Sequence, residues 1–278
     1  MRSAVAGELS AELRGFRDVQ RLAYECAEAV AAQLRPGVTE RDAARMQREW
    51  LRERGVRDWF HLPFAWFGDR TAFVNFRIPL QFFPTGRVLE PGMPFILDMA
   101  PIHRGFTADV GYSGALGPSP VHDRLLADLA AHRELILREV RERRSLREIY
   151  EDVDRLMVRQ GYANRHRAYP FGVIAHKVDR VARRRWSPTV FGFGTQSLKG
   201  LVSDAVHGHR AGWSPLWSPY GFSDHPPRPG LWAVEPHIGF RGTGAKFEEI
   251  LVVTDSADLE ESAFWLDDDL PHVGRWAG

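Results

Sequence analysis

Cysteine is nearly missing from this chain. Cys26 is the only one in 278 residues, so no intrachain disulfide can form and packing must hold the fold. It lies in the apolar stretch LAYECAEAVAAQL, which reads as a packed thiol rather than a nucleophile. Lysine is almost as scarce: it occurs only at Lys177, Lys199 and Lys246, so nearly all positive charge is arginine. Long hydrophobic runs are also lacking. No segment approaches membrane-spanning length, and the start, MRSAVAGELSAELRGF, lacks the unbroken apolar core of a signal peptide. The expectation is a cytoplasmic protein with no membrane role. A formal net charge of +1 excludes a strong one-signed field for nucleic acid. The short runs RERR (141–144) and RRRW (183–186) read as solvated faces or ion pairs.

What is present suffices for a packed core. Hydrophobic residues make up 44 % and charged residues 26 %, the balance of an ordinary globular chain. Helical spacing runs through residues 8–34, with Leu9, Leu13, Phe16, Val19, Ala23, Cys26 and Val30 on one face. Pro36-Gly37 stops it. Thr39 then reads as an N-cap, with Asp42 completing an imperfect capping box for a helix ending near Glu53. An aromatic, turn-rich stretch, WFHLPFAWFGDRTAFVNFRIPLQFF, reads as short strands and loops. FILDMAP and GFTADVGYSGALG read as strands, residues 120–160 as two helices closed by Gly161, PFGVIAH as a short strand, and LWAVEPHIGF and AKFEEILVVTD as the last two strands. Residues 178–230, rich in Trp, Phe, Pro and Gly, stand apart: either a substrate-shaping insertion or lid, or an irregular packed excursion. Their aromatics Trp186, Phe191, Phe193, Trp213 and Trp217 line a pocket on the first reading and form local core on the second. Nothing reads as an interdomain linker, so a single domain over 1–278 is expected.

Four acids require explanation. An aspartate inside FILDMAP is costly unless it has a partner or a metal, because an unpaired buried carboxylate costs several kcal/mol. A turn at His103-Arg104-Gly105 would bring Asp109 beside Asp98. Glu235 and Glu248 repeat the pattern around the glycine-rich turn 241–244. Carboxylates this close repel unless a proton or cation lies between them. With one imidazole they make an oxygen-rich set suited to a pair of Mn, Fe, Co or Zn ions. Any one of these acids alone is more often a solvated strand-end residue. Four in two matching hairpins are not so easily dismissed.

These segments resemble the pita-bread metallopeptidases: methionine aminopeptidase, prolidase, aminopeptidase P and creatinase. LRPGVTERD resembles the family's early helix junction, FILDMAPIHRGFTADVGYSGALG its aspartate-bearing strand pair, EPGMPFILD and RPGLWAVEPHIG its "PG" phrases, and FEEILVVTD its final glutamate strand. The resemblance covers roughly residues 10–255. It implies an α/β pita-bread fold, with pseudo-twofold halves and a curved antiparallel sheet covered by helices, and without the additional N-terminal domain of prolidases and creatinases. It implies Asp98, Asp109, His176, Glu235 and Glu248 as ligands of two divalent metal ions, with Glu235 and His176 catalytic. Glu248 rather than Glu249 fits the family's spacing, and alternation sends the two to opposite faces. The distance from Asp109 favours His176 as the imidazole ligand. That back from Glu235 favours His207 if 178–206 is no insertion.

Departures from the pattern narrow the chemistry. Active family members place a substrate-side histidine where this chain has Asn75, and a second where it has Arg183. His61, His103, His225 or His237 are spatial replacements, though each alone reads as a surface or structural histidine. The expected substrate-side set is Asn75, Arg183, His225 and His237. Three functions follow: a two-metal hydrolase of a short peptide or amide-like small molecule; a metal-dependent small-molecule enzyme that cleaves a C–N bond or performs a biosynthetic tailoring step; or a non-catalytic binding module. Family members often associate, so the resemblance also admits a homodimer.

Overall fold

The structure, a computed structural model, describes residues 10–182 and 188–276. Helix α1 (Ala11–Ala31) starts where Ser10 Oγ accepts the Leu13 N–H, and it buries Phe16, Val19, Ala23, Cys26 and Val30 along one face. Helix α2 (Glu40–Glu53) opens with a complete capping box: Thr39 accepts from the Asp42 N–H, and Asp42 accepts from the Thr39 N–H. Both pack on the first sheet, built from β1 (Asp58–Phe67), β2 (Pro94–His103), β3 (Phe106–Thr107) and β4 (Val110–Ala115). The aromatic stretch thus begins as one ten-residue strand rather than several short ones.

Helices α3 (Pro120–Arg141) and α4 (Leu146–Arg159) come next, the second opened by a Ser145–Glu148 capping box. Strands β5 (Ala163–Asn164) and β6 (Ala175–Val178) lead into the region that stood apart in the sequence. That region is more regular than its composition suggests. Strands β7 (Thr189–Val190) and β8 (Phe193–Gly194) join the first sheet at the edge of β1, α5 (Thr195–Arg210) follows, and β9 (Leu216–Trp217) returns to β6.

The expected last two strands are each broken in two. LWAVEPHIGF divides into β10 (Gly230–Val234) and β11 (His237–Phe240), and AKFEEILVVTD into β12 (Thr243–Lys246) and β13 (Glu249–Val253). Pro236 has no N–H to give a ladder, which accounts for the first break. Helix α6 (Leu259–Ser262), β14 (Ala263–Trp265) and α7 (Pro271–Trp276) complete the described chain. Three antiparallel sheets result: β3-β2-β1-β8-β7 with β4 on β2, β14-β13-β10-β6-β9, and β12-β11-β5. Each half lays a helix pair on a sheet. Residues of α1 and α2 make one core with β1 and β2, and residues of α3 and α4 make another with β10 and β13, which includes Trp217 and Trp232. Among the described residues no helix is long and apolar enough to cross a membrane. In the RERR run, Arg141 pairs with Glu260, and Arg144 with Asp152 and Glu139.

Candidate metal centre

The first acid pair is set by a hairpin. Arg104 and Gly105 both have positive φ (55° and 86°), the two-residue turn that matches strand twist. It puts Asp98 opposite Gly111, and Asp109, two residues before Gly111, falls on the same face. Every residue from Pro94 to Ile102 is buried, so Asp98 is too. The second pair lies in the two strand breaks. Val234 faces Glu249 on one side and His237 faces Lys246 on the other, a register that sets Glu235 across from Glu248. All four carboxylates are under 8 % exposed.

Two imidazoles complete the centre. His176, on β6 beside Ala233 of β10, places Nε2 3.2 Å from Asp109 Oδ2. His61 places Nε2 3.0 Å from Asp109 Oδ1 and 3.2 Å from Asp98 Oδ1. β1 slips register on either side of it, between Trp59 and His61 and between His61 and Phe64, which sets it opposite Ala100, two residues from Asp98 on the same face of β2. The Nδ1 of each ring faces a backbone carbonyl, Leu62 O at 2.8 Å and Lys177 O at 3.1 Å. A carbonyl only accepts, so each Nδ1 carries a proton. Each Nε2 then points at a carboxylate, which also only accepts when ionised. That arrangement is stable only with a second proton or a cation at Nε2. The donor set therefore fits a metal: His61, Asp98 and Asp109 form one group with ligand atoms within 4.8 Å of one another, and Asp109, His176 and Glu248 form another.

One cation is built into the chain. Lys246, 1 % exposed, puts Nζ 2.7 Å from Asp98 Oδ2, 2.7 Å from Glu235 Oε2 and 3.1 Å from the Tyr169 hydroxyl. Glu248 Oε2 lies 3.0 Å from the same nitrogen without making a hydrogen bond.

The electrostatics follow. Burial works to lower the His61 imidazole, but Asp109 and Asp98 outweigh it and push it up to about 9. His176 is raised by Asp109 against the same burial cost. Burial would raise Asp109, yet the two imidazoles hold it low. Glu235 is raised by burial against the pull of Lys246; Glu248 is raised well above the carboxylate range by burial, then by Asp109 and Glu235. Burial opposes the charge on Lys246, and three carboxylates overcome it and raise it well up. A divalent ion would favour the ionised form of every acid here.

The sequence-derived candidates divide cleanly. The structure brings together Asp98, Asp109, His176, Glu235 and Glu248. It does not bring Asn75 to them: Asn75 is exposed in a loop at φ 65°. His225 is held elsewhere, accepting the Ser214 N–H at Nε2 and facing Pro226 O with Nδ1. His237 is fully buried behind the site, its Nε2 on Thr71 O and its Nδ1 3.5 Å from the Tyr169 hydroxyl, so it touches the centre only through Tyr169. His207, on α5, turns back to Ser203. Arg183 and Trp186 lie outside the described residues. Reading the sequence missed Lys246 altogether; a lysine two residues before a candidate ligand glutamate, in a chain with three lysines, was the available signal.

A cavity of about 290 Å³ opens onto the centre. Phe60, Phe64, Trp66, Phe82, Phe191 and Phe193 wall it, with Leu198, Leu201 and Leu216; the carboxylates, His61, His176 and Tyr169 form its polar end. The Phe60 ring stacks on His176 at 4.8 Å. No lysine or arginine is among the described lining residues. Phe191 and Phe193 thus line the pocket, whereas Trp217 is core and Trp213 stacks under Lys177 and Arg228.

The chain belongs to metallopeptidase family M24, whose pattern matches residues 14–255, and its two sheet-and-helix halves are the family's pita-bread arrangement. It is similar to the X-Pro aminopeptidase from Thermotoga maritima MSB8 (TM-score 0.64, 15 % identity, 92 % of this chain and 60 % of that one). It is also similar to the dipeptidase PepE from Mycobacterium ulcerans (0.64, 19 %, 95 % and 59 %) and to the His350Ala variant of Escherichia coli aminopeptidase P (0.63, 14 %, 94 % and 56 %). The chain spans 56–60 % of the length of these three structures. No curated protein matches it.

Proposed function

We propose that this chain is a metal-dependent hydrolase of an amide bond in a small, largely apolar substrate. The observation that carries the metal is the pair of imidazoles, each with Nδ1 on a carbonyl and Nε2 on Asp109. The observation that carries the substrate is the wall of aromatic rings ending at the carboxylates.

When bound, a divalent ion of the Mn, Fe, Co or Zn type would acidify a water and polarise the scissile carbonyl. Asp98, Asp109, His176, Glu235 and Glu248 would hold it, with His61 added to the set. Glu235 is our catalytic base. Its Oε2 is tied to Lys246, so the other carboxylate oxygen takes the proton that the attacking water loses and returns it to the departing nitrogen. Tyr169, fixed between Lys246 and His237, positions its hydroxyl at the mouth of the acid cluster. The aromatic walls exclude water and seat the apolar part of the substrate. Along the aromatic wall, away from His61 and His176, no lysine or arginine is among the described lining residues, so a free dipeptide's carboxylate seated there would be unpaired, and an unpaired buried charge costs several kcal/mol. The same wall supports a second reading, a C–N cleavage on an apolar small molecule that is not a peptide.

We read the chain as one catalytic unit, with 178–230 as the segment that shapes the pocket, acting in the cytoplasm. The test is hydrolysis by protein loaded with Mn²⁺, Co²⁺ or Zn²⁺, comparing N-acyl and N-aryl amides of apolar acids with free dipeptides. Turnover of the uncharged amides with at least tenfold lower activity on dipeptides supports the reading. A preference for free dipeptides overturns the substrate, and no hydrolysis of any member by metal-loaded protein overturns the hydrolase.

A further inference from the structure

We propose that Phe171 and Phe191 are specificity-determining residues. Their rings close on the apolar arm of the substrate at the outer end of the cavity, so the preferred amide carries an elongated, uncharged arm rather than a short one. The inference rests on the reading of the cavity as the seat of the substrate, and names the part of the substrate that these two residues select.

The two phenylalanines come from the two halves of the fold. Phe191 lies in the turn between β7 and β8, on the first sheet, and Phe171 lies four residues before β6, on the second. Both line the cavity, yet they are 68 % and 63 % exposed, whereas Phe64 and Trp66 on the same wall are 6 % and 2 % exposed. The two rings therefore stand where the cavity meets solvent.

Neither ring is there for the sake of its turn. Val190 pairs with Phe193, so Phe191 and Gly192 are the two central residues of a hairpin, with φ of 50° and 81°. That is the type I′ pattern, whose first central position favours Asn, Asp or Gly. The Gly172 N–H donates to Tyr169 O at 2.8 Å and closes a turn over Pro170 and Phe171. Phe171 has φ 61° and ψ 10°, the conformation of the residue after proline in a type II turn, which calls for Gly or Asn. A bulky side chain in the left-handed region is strained at both places. Phe73 shares the conformation, at φ 48°, but its ring is buried against Trp66, Phe76 and Phe82. Phe171 and Phe191 lack that burial. Strain kept without compensating burial, at two turns that face one cavity, points to what enters the cavity.

The Phe191 turn is also fixed relative to the carboxylates. The Leu62 N–H donates to Gly192 O at 2.7 Å, tying the turn to β1 one residue after His61. An amide whose carbonyl lies at the polar end reaches the two rings only if its arm spans the aromatic wall between. A short acyl group leaves both rings in water.

The experiment measures binding of acetophenone, hexanophenone and octanophenone to the metal-loaded full chain by titration calorimetry. These uncharged ketones copy the acyl arm and ring of an anilide and have no amide bond to cleave, so binding is read apart from hydrolysis. The expected result in wild type is affinity that rises with each lengthening of the arm. In the double variant Phe171→Asn, Phe191→Asn, octanophenone affinity is expected to fall at least ~10-fold, with acetophenone within twofold. The urea midpoint of that variant is expected to match or exceed that of wild type, because asparagine enters the left-handed region readily. No dependence on arm length in wild type overturns the proposal, as do equal losses for all three ketones or unchanged octanophenone binding in the variant. An Asn pair that does not fold, or whose midpoint lies below wild type, assigns the rings to the fold and also overturns it. Length-dependent ketone binding that is lost in the variant, in a protein that hydrolyses no amide, supports the clamp and overturns the hydrolase alone.

Discussion

Glu248 and Glu249 are adjacent in the chain and face opposite sides of it. Glu248 turns into the carboxylate cluster, while Glu249 is gripped by the guanidinium of Arg133 and the imidazole of His272 beneath the helices. Both are buried. Period-two alternation is the whole reason for the divergence. Glu249→Ala leaves half-buried Arg133 with only the exposed Asp268 and takes the carboxylate from buried His272; it is expected to cost about 1–3 kcal/mol, read as a fall in the urea midpoint, with unchanged metal content. Glu248→Gln is expected to do the converse: metal affinity falls while the urea midpoint moves little, because it relieves a carboxylate crowded by Asp109 and Glu235.

His61 and His225 separate an imidazole in the centre from one that fills a structural role. His61→Ala removes a ring in contact with both Asp98 and Asp109, and at least a ~10-fold loss of Mn²⁺ affinity is expected by titration calorimetry. His225→Ala loses the bond to the Ser214 N–H and is expected to leave that affinity within twofold. Equal losses in both variants would contradict the assignment of His61.

Phe193 pairs across β8 with His61 on β1 and lines the cavity. Truncation to alanine removes about 1.5–3 kcal/mol of apolar contact, a ~10–100-fold rise in KM for an apolar amide with kcat changed far less. A collapse of kcat at constant KM would mean that the ring aligns the reacting groups instead.

His132 on α3 provides a test by pH. Burial pushes its imidazole down to about 4, with Nε2 2.7 Å from Gln160 Oε1. Its folded value lies below the unfolded one of about 6.5, so the unfolded chain binds the extra proton between them. The contribution is complete above about pH 6.5 and is lost as pH falls toward 4, by up to ~3 kcal/mol. Urea midpoints of wild type and His132→Gln should run parallel at neutral pH and converge or cross as pH drops. Parallel behaviour down to pH 4 would remove the assignment.

The sequence by itself determined the local structure and the outline of the centre. Helices α1 to α4 are written in apolar spacing and in the caps at Thr39 and Ser145, which act within a single turn. The spacing from Asp98 to Asp109 around Arg104-Gly105, and from Glu235 to Glu248 around 241–244, encoded two acid pairs because hairpin register follows from turn length. Tertiary structure decided the rest. His61 reaches Asp109 through register slips on both sides of it in β1, which break the alternation that would have placed it. Helix α5 and the wall of Phe191 and Phe193 arise from packing against β1, in a stretch whose composition reads as irregular. His237 is held by a carbonyl far away in sequence, Thr71 O, and His225 by the Ser214 N–H and the neighbouring Pro226 O. Lys246 became the cation of the cluster because Gly111, more than a hundred residues earlier, has no side chain to keep it out. Close approach between distant segments is not a property that periodicity or spacing can carry.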